Sequence, residues 1–327
     1  MDKVALFIAG DERIYFPALV AIESIRKHNG DAFDYFMCFD GTKLTEYMSD
    51  TLKSYGINFI DTSLLNKYGI LESFQEMKEN IWPKDVFYNY ALPVYFNELG
   101  YKYSCKADYD ILCISPYNME ELLPAGKYLS GWGSKLDIHG KAGVPESVIN
   151  YYVQSGTIES KHVPYMNVGF IAFNNAMYVE HDLLARFKDY YQYLFLNCPE
   201  SQLLEQTAFA IMLGSLKGEF ISLPESYNHR VVSSIDTNID FSFDIKNIHY
   251  ITRLKPWKAV NTNCVRWSTE SGFGSMFAYR NIWLEYAEEV EGFEELCEER
   301  KLTTLELIGL QMNVARTYEK KIKSIKA

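Results

Sequence analysis

The chain has 327 residues, 48% hydrophobic and 23% charged, an ordinary composition for a globular protein able to bury a large core as one domain or one domain with appendages. Its formal net charge of −11 argues against a general nucleic-acid binder, because neutralising phosphates takes a basic surface that this composition does not supply. Six cysteines (Cys38, Cys105, Cys113, Cys198, Cys264 and Cys297) lie far apart with no C-x-x-C pair, so neither a structural zinc nor a disulfide framework is expected and they read as reduced core thiols.

Aromatic residues reach 15% with 25 tyrosines, which on composition alone reads as a core rich in Tyr and Phe. The start, Met1 to Gly10, shows no basic leader followed by a long apolar stretch, and no run of eighteen apolar residues occurs. A cytoplasmic protein without a membrane span is the expectation.

Val4 to Ala9 is a short apolar run ending in Gly10-Asp11, and Ala18 to Lys27 follows with Leu19, Ile22 and Ile25 at helical spacing. Phe33 to Phe39 reads as a second strand, Leu44 to Tyr55 as a helix and Ile57 to Ile60 as a third strand. This alternation predicts an α/β protein with a mostly parallel sheet and helices on its faces. Asp85 to Leu99 reads as helical despite Pro93 and leads into Tyr103 to Ile114, a strand-like run interrupted by Asp108 and Asp110.

Tyr128 to Trp132 and Val168 to Asn174 are predicted strands, and the polar stretch from Gly133 to Lys161 between them is predicted as loop and short helix. Helices are predicted over Glu180 to Leu196 and Glu200 to Leu213, with short strands at Phe220 to Leu223 and Ile248 to Ile251. Gly272 to Gly274 reads as a break before a helical C-terminal part, in which Tyr279 to Glu295 is acidic and Arg300 to Ala327 is basic. That basic tail reads as a solvated helix in preference to a membrane-surface site.

Two carboxylates two residues apart on extended backbone project to the same side and can share a hard cation, so Asp108 and Asp110 are candidate metal ligands. A divalent ion held this way acts as a Lewis acid toward a departing nucleotide diphosphate. Alone, such a triplet reads as solvated turn residues. The segment from Asn247 to Trp257 adds His249, whose imidazole can be a third ligand, and Lys255, a point charge for phosphate oxygens held by the rigid Pro256-Trp257 stop.

The H-x5-K-P-W segment together with the Asp-x-Asp triplet resembles glycosyltransferase family 8, which includes glycogenin-like and lipopolysaccharide galactosyltransferase-like enzymes. Three further segments match in order: Ala5 to Ile25 with Ala9, Asp11, Tyr15 and Ser24; Tyr165-Met166-Asn167-Val168-Gly169-Phe170; and Leu204-Glu205-Gln206. The resemblance covers Val4 to Trp257. It implies a GT-A fold over residues 1–260 with a helical extension at 261–327, a UDP-sugar donor, a divalent ion (manganese, with magnesium as the alternative), and retention of anomeric configuration.

Carried over position by position, the resemblance makes Asp108, Asp110 and His249 metal ligands and Lys255 a diphosphate contact. Ala9, Asp11 and Tyr15 lie against the nucleoside, and Asn167, Gly169 and Gln206 line the donor sugar. Asp108 also serves as a donor contact. Glu205, Gln206 and Asn167 are the candidate catalytic residues. The chain departs from the family where a Tyr-x-Arg or Lys is usual, carrying Phe87-Tyr88-Asn89-Tyr90, and Lys106 is the basic residue placed to substitute. Glu205-Gln206 replaces the family's Asp-Gln pair.

From Asn228 to Ile248 there is no tyrosine to accept a sugar, so the acceptor is expected to be a separate saccharide or glycan, within carbohydrate biosynthesis. A nucleotide-sugar hydrolase, a phosphoryl-transfer enzyme and a catalytically silent carbohydrate-binding protein are the rival readings. No P-loop is present, and the intact Asp108, Asp110, His249 and Lys255 speak against the silent version.

Overall fold

Five of the six residues of Val4–Ala9 are buried, as expected for an apolar strand covered on both faces of a sheet. The structure, a computed structural model, describes residues 4–70, 84–201, 203–231, 244–251, 255–257 and 273–300. Ten strands form among the described residues: β1 (Val4–Ala9), β2 (Phe33–Phe39), β3 (Asn58–Asp61), β4 (Tyr103–Ala107), β5 (Ile111–Cys113), β6 (Leu129–Asp137), β7 (His162–Asn174), β8 (Ile221–Ser222), β9 (His229–Arg230) and β10 (Asn247–His249). The chain divides into two compact units, one made of Met1–Tyr15, Asn29–Tyr109 and Tyr117–Asn228, the other of Phe16–His28, Asp110–Pro116 and His229–Ala327.

The first unit holds a seven-stranded sheet in the order β3-β2-β1-β4-β7-β6-β8. The β3-β2-β1-β4 half is parallel, with Val4 opposite Phe33 and Ala5 opposite Ser104. β7 runs antiparallel to both β4 and β6, and β8 is parallel to β6. The sheet is therefore mixed and mostly parallel, as the sequence predicts. Helices Tyr88–Glu98, Leu183–Asn197 and Leu204–Ser215 belong to this unit and share its core with β1 and β7, through Phe7, Tyr90, Phe96, Phe173, Phe187 and Phe209. Each such fully buried side chain contributes about 1.5–3 kcal/mol relative to exposure.

The second unit holds a small sheet in the order β5-β10-β9, antiparallel on one side and parallel on the other. It also contains most of helix Tyr15–Asn29 and the helices Phe273–Ala287 and Phe293–Arg300.

Several expectations are corrected. The stretch predicted as loop and short helix from Gly133 to Lys161 is largely regular: β6 continues to Asp137, and helices Ile138–Ala142 and Glu146–Gln154 precede β7 at His162. The strands lengthen because β6 and β7 pair across a bulge, where Trp132 on β6 faces the stretch from Asn167 to Phe170 on β7, and the ladder resumes at Gly133 and Met166. The helix predicted over Glu180 to Leu196 is two helices, Asn175–Glu180 and Leu183–Asn197, separated where Asp182 takes a left-handed φ of 53°. The next helix begins at Leu204, after Leu203 at φ 55°. The acidic C-terminal helix is likewise interrupted, ending at Ala287 and resuming at Phe293 after Gly292 at φ 96°, and Gly274 lies within a helix that starts at Phe273. The basic stretch beyond Arg300 and Gly272 lie outside the described residues.

Among the described residues no helix is long and apolar enough to cross a membrane. Cys38, Cys105, Cys113, Cys198 and Cys297 are free thiols, the first four buried, and burial pushes the thiols of Cys38 and Cys105 well up.

The bulge makes a specific demand on Gly133. A Cβ there would lie 2.5 Å from the Tyr165 carbonyl oxygen and 2.6 Å from Met166 Cα, both backbone atoms that cannot swing aside. Gly140, in helix Ile138–Ala142, has nothing nearer than 3.9 Å. Gly133→Ala is expected to lower stability by about 1–3 kcal/mol through overpacking, whereas Gly140→Ala should raise it by about 0.4–1 kcal/mol. Urea denaturation of the two variants checks both signs.

Candidate functional site

The Asp108-Tyr109-Asp110 triplet is not extended. β4 ends at Ala107 and β5 starts at Ile111, leaving the triplet as a turn between strands of two different sheets. The same-face argument of a continuous strand therefore fails, because a turn sets the two carboxylates by its own geometry. They stay close nonetheless, since a single residue separates them.

Within the second unit, strand pairing delivers Asp110 to His249. β10 lies antiparallel to β5 with His249 opposite Ile111, and the Tyr250 amide extends the ladder by donating to the Asp110 carbonyl at 2.9 Å. The Asp110 carboxylate is 6% exposed and His249 3% exposed. Asp110 Oδ1 lies 3.1 Å from His249 Nε2, close enough for contact yet off the direction of a hydrogen bond, so Oδ1 is a buried oxygen without a hydrogen-bond partner. Asp110 Oδ2 accepts from the Lys255 ammonium, which also donates to the Tyr250 carbonyl at 2.6 Å. Burial would raise the Asp110 carboxyl, but the His249 and Lys255 charges prevail and hold it well below the usual carboxylate range.

Within the second unit Asp110 and His249 each offer a ligand atom, and Asp108 precedes Asp110 in the chain by two residues. The unsatisfied Oδ1 beside an imidazole nitrogen fits a shared cation, because an ion would give this buried oxygen the partner it lacks. Two carboxylates and one imidazole form a donor set for a divalent metal of the oxygen-preferring class.

The first unit holds a second charged group. Lys106, on β4 and 3% exposed, donates to the Asp108 carboxylate and to the Val168 carbonyl at 2.5 Å. Its ammonium is thus committed to protein partners. Glu205 is buried in the first turn of helix Leu204–Ser215, and its Oε1 accepts from the Tyr90 hydroxyl. Burial is the main cause that pushes the Glu205 carboxyl up to about 7, with Asp108 adding to it and with Tyr90 and Lys106 opposing. Tyr90 was not among the residues expected from sequence. Its position in Phe87-Tyr88-Asn89-Tyr90, where the family usually has a basic residue, was the available signal.

Asn167 Oδ1 accepts from the Gly169 amide at 3.0 Å and from Asn228 Nδ2 at 2.9 Å, while the Gly169 carbonyl accepts from the Asp108 amide at 2.7 Å. Asn167, Gly169 and Asp108 are therefore tied together by short bonds, and Asn228 joins them without a sequence signal. Gln206 follows Glu205 in the same helical turn and is half-buried. Ala9 ends β1, Asp11 caps the next turn through the Arg13 amide at 2.9 Å, and Tyr15 donates to the Met48 carbonyl at 3.4 Å. The side-chain hydrogen bond from Arg13 holds the Asp11 carboxyl below its ordinary value.

Glu205 makes stability depend on pH. Its carboxyl titrates at about 7 in the fold against 4.5 as the ordinary value, so the folded chain binds a proton that the unfolded chain releases. That contribution is complete below pH 4.5 and is lost as pH rises through about 7. Glu205→Gln removes the titrating group. Its stability relative to the wild type is expected to improve by about 1–3 kcal/mol on going from acidic to mildly alkaline buffer, and a difference that does not change with pH in urea titrations would contradict this assignment.

The family model described as "Glycosyl transferase family 8" matches residues 139–261, a stretch that includes Asn167, Gly169, Glu205, Gln206, His249 and Lys255. No curated protein matches the sequence significantly. Among solved structures, the chain is similar to the apo form of the bifunctional glycosyltransferase WbbM, with a TM-score of 0.61 and 14% identity over 92% of this chain and 52% of that one. It is similar to the galactosyltransferase LgtC in complex with donor and acceptor sugar analogs, with a TM-score of 0.56 and 14% identity over 88% and 96%. The glycosyltransferase GlyE of Streptococcus pneumoniae TIGR4 gives 0.53 and 16% identity over 91% and 63%. This chain thus spans about half of WbbM and less than two thirds of GlyE. The TM-scores of these structures establish a shared GT-A fold, and residues 139–261 match the glycosyltransferase family 8 model.

Proposed function

We propose that the chain is a retaining, metal-dependent glycosyltransferase that moves a hexose or pentose from a UDP-sugar to a separate glycan or saccharide. The observation that carries this reading is the buried junction of Asp110, His249 and Lys255, with Asp108 two residues upstream. Asp108, Asp110 and His249 would hold manganese, with magnesium as the alternative. When bound, such an ion supplies Lewis-acid charge to the departing diphosphate. We assign the transferase domain to residues 1–260 and regard 261–327 as its helical extension.

Lys255 adds a positive charge for diphosphate oxygens beside the buried Asp110 carboxylate, in surroundings where charge stabilisation is stronger than in water. Ala9, Asp11 and Tyr15 are assigned to the nucleoside. Asn167, Gly169 and Gln206 are assigned to the donor sugar, with Asn167 held by Asn228 and Lys106 acting by fixing the Asp108 carboxylate. Retention needs either a double displacement with a carboxylate nucleophile or a front-face substitution in which the leaving phosphate accepts the acceptor's proton. Glu205 is the candidate nucleophile. A carboxyl that titrates at about 7 and already accepts from Tyr90 is a poor nucleophile at neutral pH, which favours the front-face route.

Two measurements test this reading. Nucleotide release from UDP-sugars with manganese should require both metal and a saccharide acceptor, and Asp110→Ala should lower transfer by about 10²–10³, the scale of losing one transition-state charge contact. Release without acceptor would mark a hydrolase, and none under any donor a silent binding protein. Mass spectrometry of the protein after incubation with donor should find no added hexose, consistent with a separate acceptor.

A further inference from the structure

The strand and loop that carry His249 and Lys255 are braced by a helix beyond the family match. Helix Phe273–Ala287 turns three successive contacts onto them, all within the second unit. The Tyr279 carbonyl accepts from the Tyr250 hydroxyl at 2.6 Å. Arg280 Nη1 donates to the Lys255 carbonyl at 3.4 Å. The Trp283 ring lies 5.3 Å from that of Trp257. Tyr279 also meets His229 of β9, its hydroxyl 3.1 Å from Nε2.

These contacts have a clear division. Tyr250 and Trp257 bound the Lys255 segment, and both are buried against Tyr279 and Trp283, one helical turn apart. Between these two anchors, Arg280 engages the main chain of Lys255 itself. Arg280 is 7% exposed, and a guanidinium is costly to bury unless its donors are used. The Lys255 carbonyl is one of the groups that use them.

We propose that Arg280 is a positioning residue for Lys255. By holding the Lys255 carbonyl between the Tyr250 and Trp257 anchors, it keeps the ammonium directed at Asp110 and at the ground where a diphosphate would sit. It acts through Lys255 and not on substrate. The consequence for donor binding rests on the function proposed above; the conformational claim does not.

The test reads the accessibility of Lys255 directly. In wild type, acylation of the Lys255 amine by acetic N-hydroxysuccinimide ester, followed by peptide mass spectrometry, should be slow because the side chain is largely covered and the amine is paired with Asp110. Arg280→Ala should accelerate acylation at Lys255 by about 2- to 10-fold, the factor for losing one net hydrogen bond, with other lysines unchanged. Arg280→Lys keeps the charge and stem but loses the planar fork, so it should also accelerate Lys255 labelling at an unchanged melting temperature. Tyr286→Phe, on the same helix but bonded to His28, should label as wild type.

If Arg280→Ala loosens the whole fold, all lysines label faster and the Arg280→Lys result decides. Wild-type labelling of Lys255 in the Arg280→Lys variant at full stability would overturn the proposal. Binding of UDP with manganese, measured by calorimetry, should weaken in Arg280→Lys in step with the labelling. Failure of the wild type to bind UDP would remove the functional reading and leave the labelling outcome standing.

Discussion

A carboxylate cannot remain ionised inside a protein unless opposite charge comes with it, and Asp110 meets that requirement through His249 and Lys255. The second unit is arranged around this need. β10 exists as three residues whose pairing with β5 sets His249 beside the start of that strand, and the Tyr250 amide locks Asp110 to the same register. Removing one partner of a buried pair of this kind costs about 3–5 kcal/mol, because a lone charge is left behind. The site and the stability of this small sheet therefore rest on the same contacts.

The first unit solves a related problem differently. Glu205 is buried near Lys106 and Asp108, and it is brought close to neutrality instead of being fully paired. Tyr90 donates to it from the opposite helix, stacked 3.9 Å from Phe187 so that the phenol has little freedom to turn. Asp110 is thus kept charged and Glu205 is kept close to its titration point, two carboxyls with distinct states set by their neighbours.

The parallel half of the sheet was legible because β1 is a continuous apolar run and β2 is interrupted only by Asp34, and Phe33–Phe39 is the predicted strand without change. Resemblance to family 8 singled out Asp110, His249 and Lys255, which meet within the second unit although some 140 residues separate Asp110 from His249 in the chain. What escaped is where local pattern and tertiary demand diverge. Asp182 and Leu203 take left-handed backbone that costs a side-chain residue about 1–2 kcal/mol, and nothing in their identity announces it. The turn at Asp108 to Asp110 was hidden by apolar residues on both sides, which read as one strand although they serve two sheets. Tyr90, Asn228 and Arg280 are chemically ordinary residues whose roles come only from what they face.

The ammonium of Lys106 also constrains how this sequence can drift. On an interior strand, position 106 would accept an aliphatic side chain by pattern alone, yet here it is bonded to Asp108 and Val168 and lies in the field felt by Glu205. A single replacement by leucine would leave Asp108 without its cation and shift the protonation of Glu205 at one stroke. Substitutions at 90, 106 and 205 are therefore coupled by epistasis, and a lineage that abandons the lysine must re-equip the tyrosine or the acid as well.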